Sequence, residues 1–259
     1  MKFTFIFILF FLLNICLANE GEFKASPGSL EYNEGTILYL AKKIASRNIV
    51  FFGEDHEDWE EKFYLDLLVP LDQELEKKLI FRKCLILEQP DKIFGSILEK
   101  YNQYISEHGK IRWNTSLFKE KESDQIQVDK KSESRHKEYY VLTYSMLAKR
   151  ALSRGWKVYP VDEYKLCENL QYKDELKCRN GFMVERIHNL MDKECGLFLV
   201  INGSHHHAIE MSADHTILNL FLKKSKLSLD SVYMIQLLTL GQMNSTVNIA
   251  ADERVVGGK

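Results

Sequence analysis

Ionisable side chains follow two apolar stretches of this sequence in the same order. Residues 50–52 (Val-Phe-Phe) lead into Gly-Glu-Asp-His at 53–56, and residues 197–201 (Leu-Phe-Leu-Val-Ile) lead into Asn-Gly-Ser-His-His-His at 202–207. In each case an apolar stretch is followed by a glycine and then by histidine. Glutamate and histidine at such positions can bind a metal ion or transfer protons.

Two kinds of chemistry fit these residues. His56 and His206, with the carboxylates of Glu54 and Glu88, are a suitable ligand set for zinc, manganese or iron that leaves a position open for water. A metal-bound water loses its proton near neutral pH and can attack an ester or amide carbonyl. Without a metal, Glu54 or Glu88 would orient His56 as a general base for water. The residues alone leave both hypotheses open.

The elements that must position these residues are strands alternating with helices. Apolar runs predict strands at 49–52, 84–87, 156–161, 197–201 and 232–240, and apolar residues at helical spacing fill most of the intervening chain. This alternation predicts an α/β fold, with a mainly parallel sheet of about five strands and helices on both faces. Ligands of such sheets bind at the carboxyl ends of the strands.

Most of the predicted strands end in polar groups at that edge. These groups are Glu54 and His56, Glu88, Asp162 and Glu163, and Asn202, His205 and His206. We therefore expect the functional site at the carboxyl edge, where His206 is the preferred contributor of its histidine run. Arg179 is expected to begin a helix near the same edge, where a guanidinium can bind a carboxylate or phosphate or stabilise an oxyanion.

The remaining sequence predicts one exported domain. Residues 1–18 have a basic start, an apolar run and a small residue at Ala18, as in a secretory signal peptide. Residues 19–259 are then a single α/β domain, with no transmembrane segment after cleavage and a location in the periplasm or outside the cell. A charged insertion is predicted at about 102–138, in which Trp113 and Phe118 are apolar exceptions able to cover a site.

Charge narrows the range of partners. The formal net charge of −2 argues against nonspecific binding to nucleic acid or to an anionic membrane. The expected partner is a small-molecule or peptide substrate, or haem.

Four cysteines remain after signal cleavage, and an even number in an exported chain permits two disulfides. Spacing alone leaves three pairings open. The predicted topology places Cys84 and Cys195 before strands and Cys167 and Cys178 beyond a strand end, which favours the pairs Cys84–Cys195 and Cys167–Cys178. A free thiol is the alternative for Cys84, because its neighbours are apolar.

Four short motifs carry a resemblance to a known superfamily. They are Gly53-Glu54-x-His56, Glu88 after Leu85-Ile86-Leu87, Arg179-Asn180-x-x-Met183 opening a helix, and Gly203-x-x-His206. In order and placement this set resembles the superfamily that joins erythromycin esterase-like enzymes, ChaN-like haem-uptake lipoproteins and TIKI/TraB-type proteins, with the ChaN-like branch nearest. The resemblance covers roughly residues 49–222 outside the insertion. The chain departs from that branch at Ser204-His205 and at the insertion.

The resemblance implies an α/β fold with a site made from Glu54, His56, Glu88, Arg179 and His206. The first functional hypothesis is an exported hydrolase of an ester or amide, which uses a divalent metal or a glutamate-oriented histidine. The alternative is a haem- or iron-binding uptake protein without turnover, in which aromatic residues such as Trp59, Trp113 and Phe118 cover the porphyrin. A third hypothesis is a secreted toxin or effector with this fold.

Overall fold

A seven-stranded, entirely parallel sheet forms the centre of the molecule. A computed structural model describes residues 29–112, 146–191, 195–208, 215–228, 231–239 and 251–257. The strands are β1 (Ser29–Glu31), β2 (Ile49–Glu54), β3 (Lys83–Pro90), β4 (Lys157–Asp162), β5 (Leu197–Gly203), β6 (Val232–Thr239) and β7 (Glu253–Gly257). Their order across the sheet is β1-β7-β6-β2-β5-β3-β4. The predicted α/β class is confirmed.

The sheet has two more strands than the sequence predicted. All five predicted strands are present, and β1 and β7 extend the sheet beyond β6. These additional strands have only three and five residues, and β1 is mostly exposed. Their sequences therefore lack the long apolar run that marks an interior parallel strand.

Helices cover both faces of the sheet. They are α1 (Glu34–Ile44), α2 (Asp58–Lys77), α3 (Asp91–His108), α4 (Tyr164–Cys167), α5 (Tyr172–Met191) and α6 (Ile217–Ser225), and residues 146–153 are also helical. Alternate residues of β2 supply the two cores: Val50 and Phe52 pack with α1 to α3, and Ile49 and Phe51 pack with α5 and α6. Burial on both faces explains why this strand is apolar throughout.

Two boundaries differ from the predictions. Helix α3 continues to His108, so residues 102–108 are not the start of an insertion; Asn102 there donates to the Val158 carbonyl and accepts from the Val158 N–H. Helix α5 begins at Tyr172, whereas the sequence predicted a helix that begins at about Arg179. Arg179 therefore lies two turns inside this helix. The predicted signal peptide and most of the predicted insertion, with Trp113 and Phe118, lie outside the described residues.

Both predicted disulfide pairings are confirmed. Cys84 at the start of β3 pairs with Cys195 just before the neighbouring strand β5, with Cα atoms 6.0 Å apart. Cys167 in α4 pairs with Cys178 in α5, with Cα atoms 5.9 Å apart. The second bridge ties α5 to the segment that follows β4, close to Arg179 in sequence. In the part of the chain that the structure describes, no helix has the length and apolar character to span a membrane.

Candidate functional site

Three adjacent strands bring the predicted site residues to one edge of the sheet. Strand β5 lies between β2 and β3, and Glu54 at the end of β2 is in register with Gly203 at the end of β5. Glu88 lies near the end of β3, on the other side of β5. The 3₁₀ turn Ser204–His207 follows β5 directly and carries His206 to the same edge.

The carboxylate of Glu88 contacts three groups at this edge. Its Oε1 accepts from Arg179 Nη2 at 2.5 Å and lies 3.0 Å from His206 Nε2, while its Oε2 accepts from the Gly203 N–H at 2.7 Å. Only 2% of the residue is exposed. Burial opposes ionisation, but the positive charges of His206 and Arg179 outweigh it and hold the pKa of Glu88 well below its usual range.

Arg179 joins Glu88 to a second buried carboxyl. Its Nε donates to Asp162 Oδ1 at 3.1 Å and its Nη2 donates to Asp162 Oδ2 at 2.9 Å. Burial and the charge of Glu88 raise the pKa of Asp162, although Arg179 acts in the opposite direction. Arg179 therefore links the ends of β3 and β4 to helix α5.

His206 faces hydrogen-bond acceptors at both ring nitrogens. Nε2 lies beside Glu88 Oε1, and Nδ1 lies 2.5 Å from Asn180 Oδ1. The orientation of the Asn180 amide is fixed because its Nδ2 donates to the carbonyls of His206 and His215. Both ring nitrogens of His206 therefore lie against protein groups, so neither of them faces open space for a ligand.

His56 and Glu54 form a separate pair beside this cluster. His56 Nδ1 donates to Glu54 Oε1 at 2.9 Å, and the other oxygen of Glu54 accepts from the Tyr64 hydroxyl at 2.9 Å. The His56 side chain is 19% exposed, whereas that of Glu54 is fully buried. Burial lowers the pKa of His56, but the hydrogen bond and charge of Glu54, with the charges of Glu88 and Asp55, raise it overall.

A close approach explains the glycine at position 203. A Cβ atom there would lie 3.0 Å from His56 Nε2 and 3.6 Å from Glu88 Oε2. A side chain would therefore press on the His56 ring. Gly203 lets the two clusters meet, since its backbone N–H binds Glu88 while its Cα borders His56.

The other two histidines of the run have different surroundings. His207 is buried, accompanied by Asn202 Oδ1 at 3.2 Å, and burial with the charge of His206 lowers its pKa to about 3. It is therefore neutral at physiological pH. His205 is exposed and makes an edge contact with the ring of Tyr172, with ring centroids 6.2 Å apart. Of the three, His206 is the one that contacts Glu88.

All five predicted site residues thus lie at this edge, but as partners of one another. Glu54 and Glu88 accept from histidine, arginine, tyrosine and backbone groups. Among the described residues, no group of three or more His, Cys, Asp or Glu side chains is placed to hold a metal ion. Each residue of the ligand set predicted for a metal, His56, His206, Glu54 and Glu88, is hydrogen-bonded to another protein group in this arrangement, and the metal site stays a prediction.

Three contributors were not assigned a role from the sequence. Glu60 and Tyr64 are buried beside Glu54, and Asn180 binds His206. Glu60 stands three residues after the N-cap of α2, the position at which a glutamate often caps a helix, so this pattern could have identified it. Tyr64 lies at the next helical repeat after Glu60, and nothing else in its sequence surroundings distinguishes it from a core residue.

The structure gives Trp59 packing partners that the sequence did not predict. Trp59 was expected to cover a ligand, but its Nε1 donates to Thr239 Oγ1 and its ring packs beside Tyr32 and Phe63. Trp59 thus covers the core between α2 and the end of β6.

Comparison with known proteins adds one similar structure. No model of a known protein family matches the chain, and no curated protein matches it in sequence. Among solved structures, ChaN of Campylobacter jejuni, described with cofacial haem binding, is similar with a TM-score of 0.48 and 16% sequence identity. The similarity covers 79% of this chain and 85% of that one.

The lowered pKa of Glu88 predicts an acid-sensitive fold. A carboxyl whose pKa is depressed by folding stabilises the protein above its ordinary pKa of 4.5, and this stabilisation is lost as the pH falls through the folded-state value. E88Q should lower the free energy of unfolding at pH 7 by about 3 kcal/mol, because Arg179 and His206 lose a buried counter-charge. It should also flatten the dependence of stability on pH below 4.5.

Denaturant unfolding at several pH values measures both effects. E76Q is the matched control, since Glu76 is exposed on α2 and should change neither quantity. Parallel pH curves for the wild type and E88Q would contradict the assigned role of Glu88.

Proposed function

We propose that the chain is a hydrolase in which His56, oriented by Glu54, activates water to attack an ester or amide carbonyl without a metal ion. The observation that carries this proposal is the hydrogen bond from His56 Nδ1 to the buried carboxylate of Glu54 at the carboxyl edge of the sheet. Carboxyl edges are where parallel sheets bind their ligands.

The Glu54 bond selects the reactive nitrogen of His56. When Nδ1 carries the proton that Glu54 accepts, the basic lone pair of a neutral ring is on Nε2. In the proposed step, the oxygen of water bonds to the substrate carbonyl carbon and its proton passes to Nε2. The resulting imidazolium is stabilised by Glu54, and it returns the proton to the leaving alcohol or amine as the bond to that group breaks.

The backbone at His56 supports a functional role. Its φ of 65° lies in the left-handed region, which costs a residue with a Cβ about 1–2 kcal/mol. Such strain persists where the surrounding structure imposes it, and it concentrates at functional sites. Here it turns the chain at the end of β2 so that the ring returns to Glu54, two residues earlier.

The cluster around Glu88 supplies fixed charge beside this base. Arg179 and His206 place positive charge at the buried carboxylate of Glu88, which itself raises the pKa of His56. They therefore limit the effect of Glu88 on the base and add an electrostatic environment suited to negative charge that develops on a substrate. Asp162 keeps Arg179 in place, and Asn180 keeps His206 in place.

Export is part of the proposal. The two disulfides suit an oxidising compartment, as the predicted signal peptide at residues 1–18 requires. We propose a periplasmic or secreted location and a small-molecule or peptide substrate.

The His56–Glu54 dyad predicts a specific pH dependence of hydrolysis. A base works when deprotonated, so the rate on a chromogenic ester should rise with pH through the raised pKa of His56, above its ordinary 6.5. E54Q should move this rise in rate to lower pH and reduce the maximal rate by roughly 10²–10⁴-fold. H56A should reduce the maximal rate by roughly the same 10²–10⁴-fold. Chelator should change none of these rates.

Profiles measured from pH 5 to 9 test this prediction, with H205A as the control because His205 is exposed beyond the dyad. An activity that is lost with chelator, or an acid limb unmoved in E54Q, would contradict the proposed mechanism.

The second candidate function is haem binding without turnover. The observation that favours it is the exposed pair His205 and Tyr172, whose imidazole and phenol are both known axial ligands of haem iron. Leu166 and Leu170 are also exposed on the segment that leads to Tyr172, so an apolar surface is available for a porphyrin face. ChaN of Campylobacter jejuni, the similar structure, is itself described with bound haem.

A visible absorbance titration of the protein with haem tests this candidate. A band shift that saturates in the wild type and in H56A, but is lost in the double variant H205A/Y172F, is the expected result. No band shift, or one that the double variant retains, would contradict haem binding at this pair.

A further inference from the structure

Glu60 is a fully buried carboxyl beside the dyad that the proposed reaction does not use. It lies in the first turn of α2, with 0% of the residue exposed. Its Oε1 accepts from the Asp55 N–H at 2.9 Å, and its Oε2 accepts from the Glu57 N–H at 2.7 Å. These two backbone groups belong to the residues immediately before and after His56.

The two bonds act on the strained point of the chain. His56 has a φ of 65°, which residues with a Cβ seldom adopt without support. The bond to Glu57 is the usual contact between a glutamate and the N-cap backbone of its helix. The bond to Asp55 reaches two residues further back, so one carboxyl fastens the chain on both sides of the left-handed residue.

We infer that Glu60 is a positioning residue, which holds the His56 ring on Glu54 by fixing the backbone at Asp55 and Glu57. This inference rests on the proposed function for its catalytic meaning, but its geometry is independent of any substrate. The positioning role of Glu60 requires a carboxyl. Both oxygens of a carboxyl accept, whereas a glutamine amide accepts at one atom and presents N–H groups at the other.

The two bonds act against the electrostatics of this buried position. Burial and the charge of Glu54 raise the pKa of Glu60 to about 9, whereas the hydrogen bonds from Asp55 and Glu57 lower it. They lower it because they stabilise the ionised carboxylate, whose two oxygens both accept.

NMR of the intact protein with E60Q tests the inference, with E61Q as the matched control. Glu61 is the neighbouring buried carboxyl of α2, but it accepts from the distant Leu147 N–H and not from the His56 turn. E60Q should lower the titration midpoint of His56, since the ring leaves Glu54, and should accelerate amide exchange at Asp55 and Glu57 tenfold or more. E61Q should change neither quantity.

Unchanged His56 titration and amide exchange in a folded E60Q would overturn the inference. If E60Q does not fold well enough for NMR, thermal unfolding in the H56G background decides, because glycine adopts a positive φ without strain. The drop in melting temperature caused by E60Q should be smaller in H56G than in the wild type, and equal drops would overturn the inference. If E60Q acts as expected while no ester or amide is hydrolysed, the positioning role stands and only the proposed reaction fails.

Discussion

The buried carboxylate of Glu88 is the interaction on which the rest of the site depends. It binds the Arg179 guanidinium from α5, the His206 ring from the turn after β5 and a backbone N–H of β5, so one side chain fastens three elements to the end of β3. A buried negative charge is tolerated only when such partners replace water. The partners are in turn fixed by Asp162 and Asn180. His56 lies beside this cluster.

The fold could be predicted largely because its central strands are buried on both faces. The stretches 49–52, 84–87 and 197–201 within β2, β3 and β5 are apolar without interruption, and the helical periods between them require parallel pairing. The same topology separated the cysteines correctly into their two pairs. It could not reveal β1 and β7, since short strands at the margin of a sheet have no strong apolar pattern. Nor did composition mark the end of α3, whose last turns are polar on one side but buried at Tyr101 and Ile105.

The members of the site could be predicted better than their roles. A strand end determines where Glu54, Glu88 and His206 emerge, but not which atoms their side chains contact. The sequence predicts His206 as a ligand, but it does not show that Asn180 and Glu88 lie at its two nitrogens. The sequence did not identify Glu60, because this residue lies in a helix and acts on the backbone on either side of His56. Protonation states depend on such three-dimensional partners, which sequence spacing does not contain.

The central claim is that His56 is the base and that Glu54 holds its Nδ1. Nitrogen-15 NMR of the histidine side chains at pH 8 tests this most directly, because nitrogen shifts distinguish the two neutral tautomers and the imidazolium. We predict a protonated Nδ1 and a basic Nε2 for the neutral form of His56, because Nδ1 donates to Glu54. A His56 whose neutral form carries its proton on Nε2 would contradict the account.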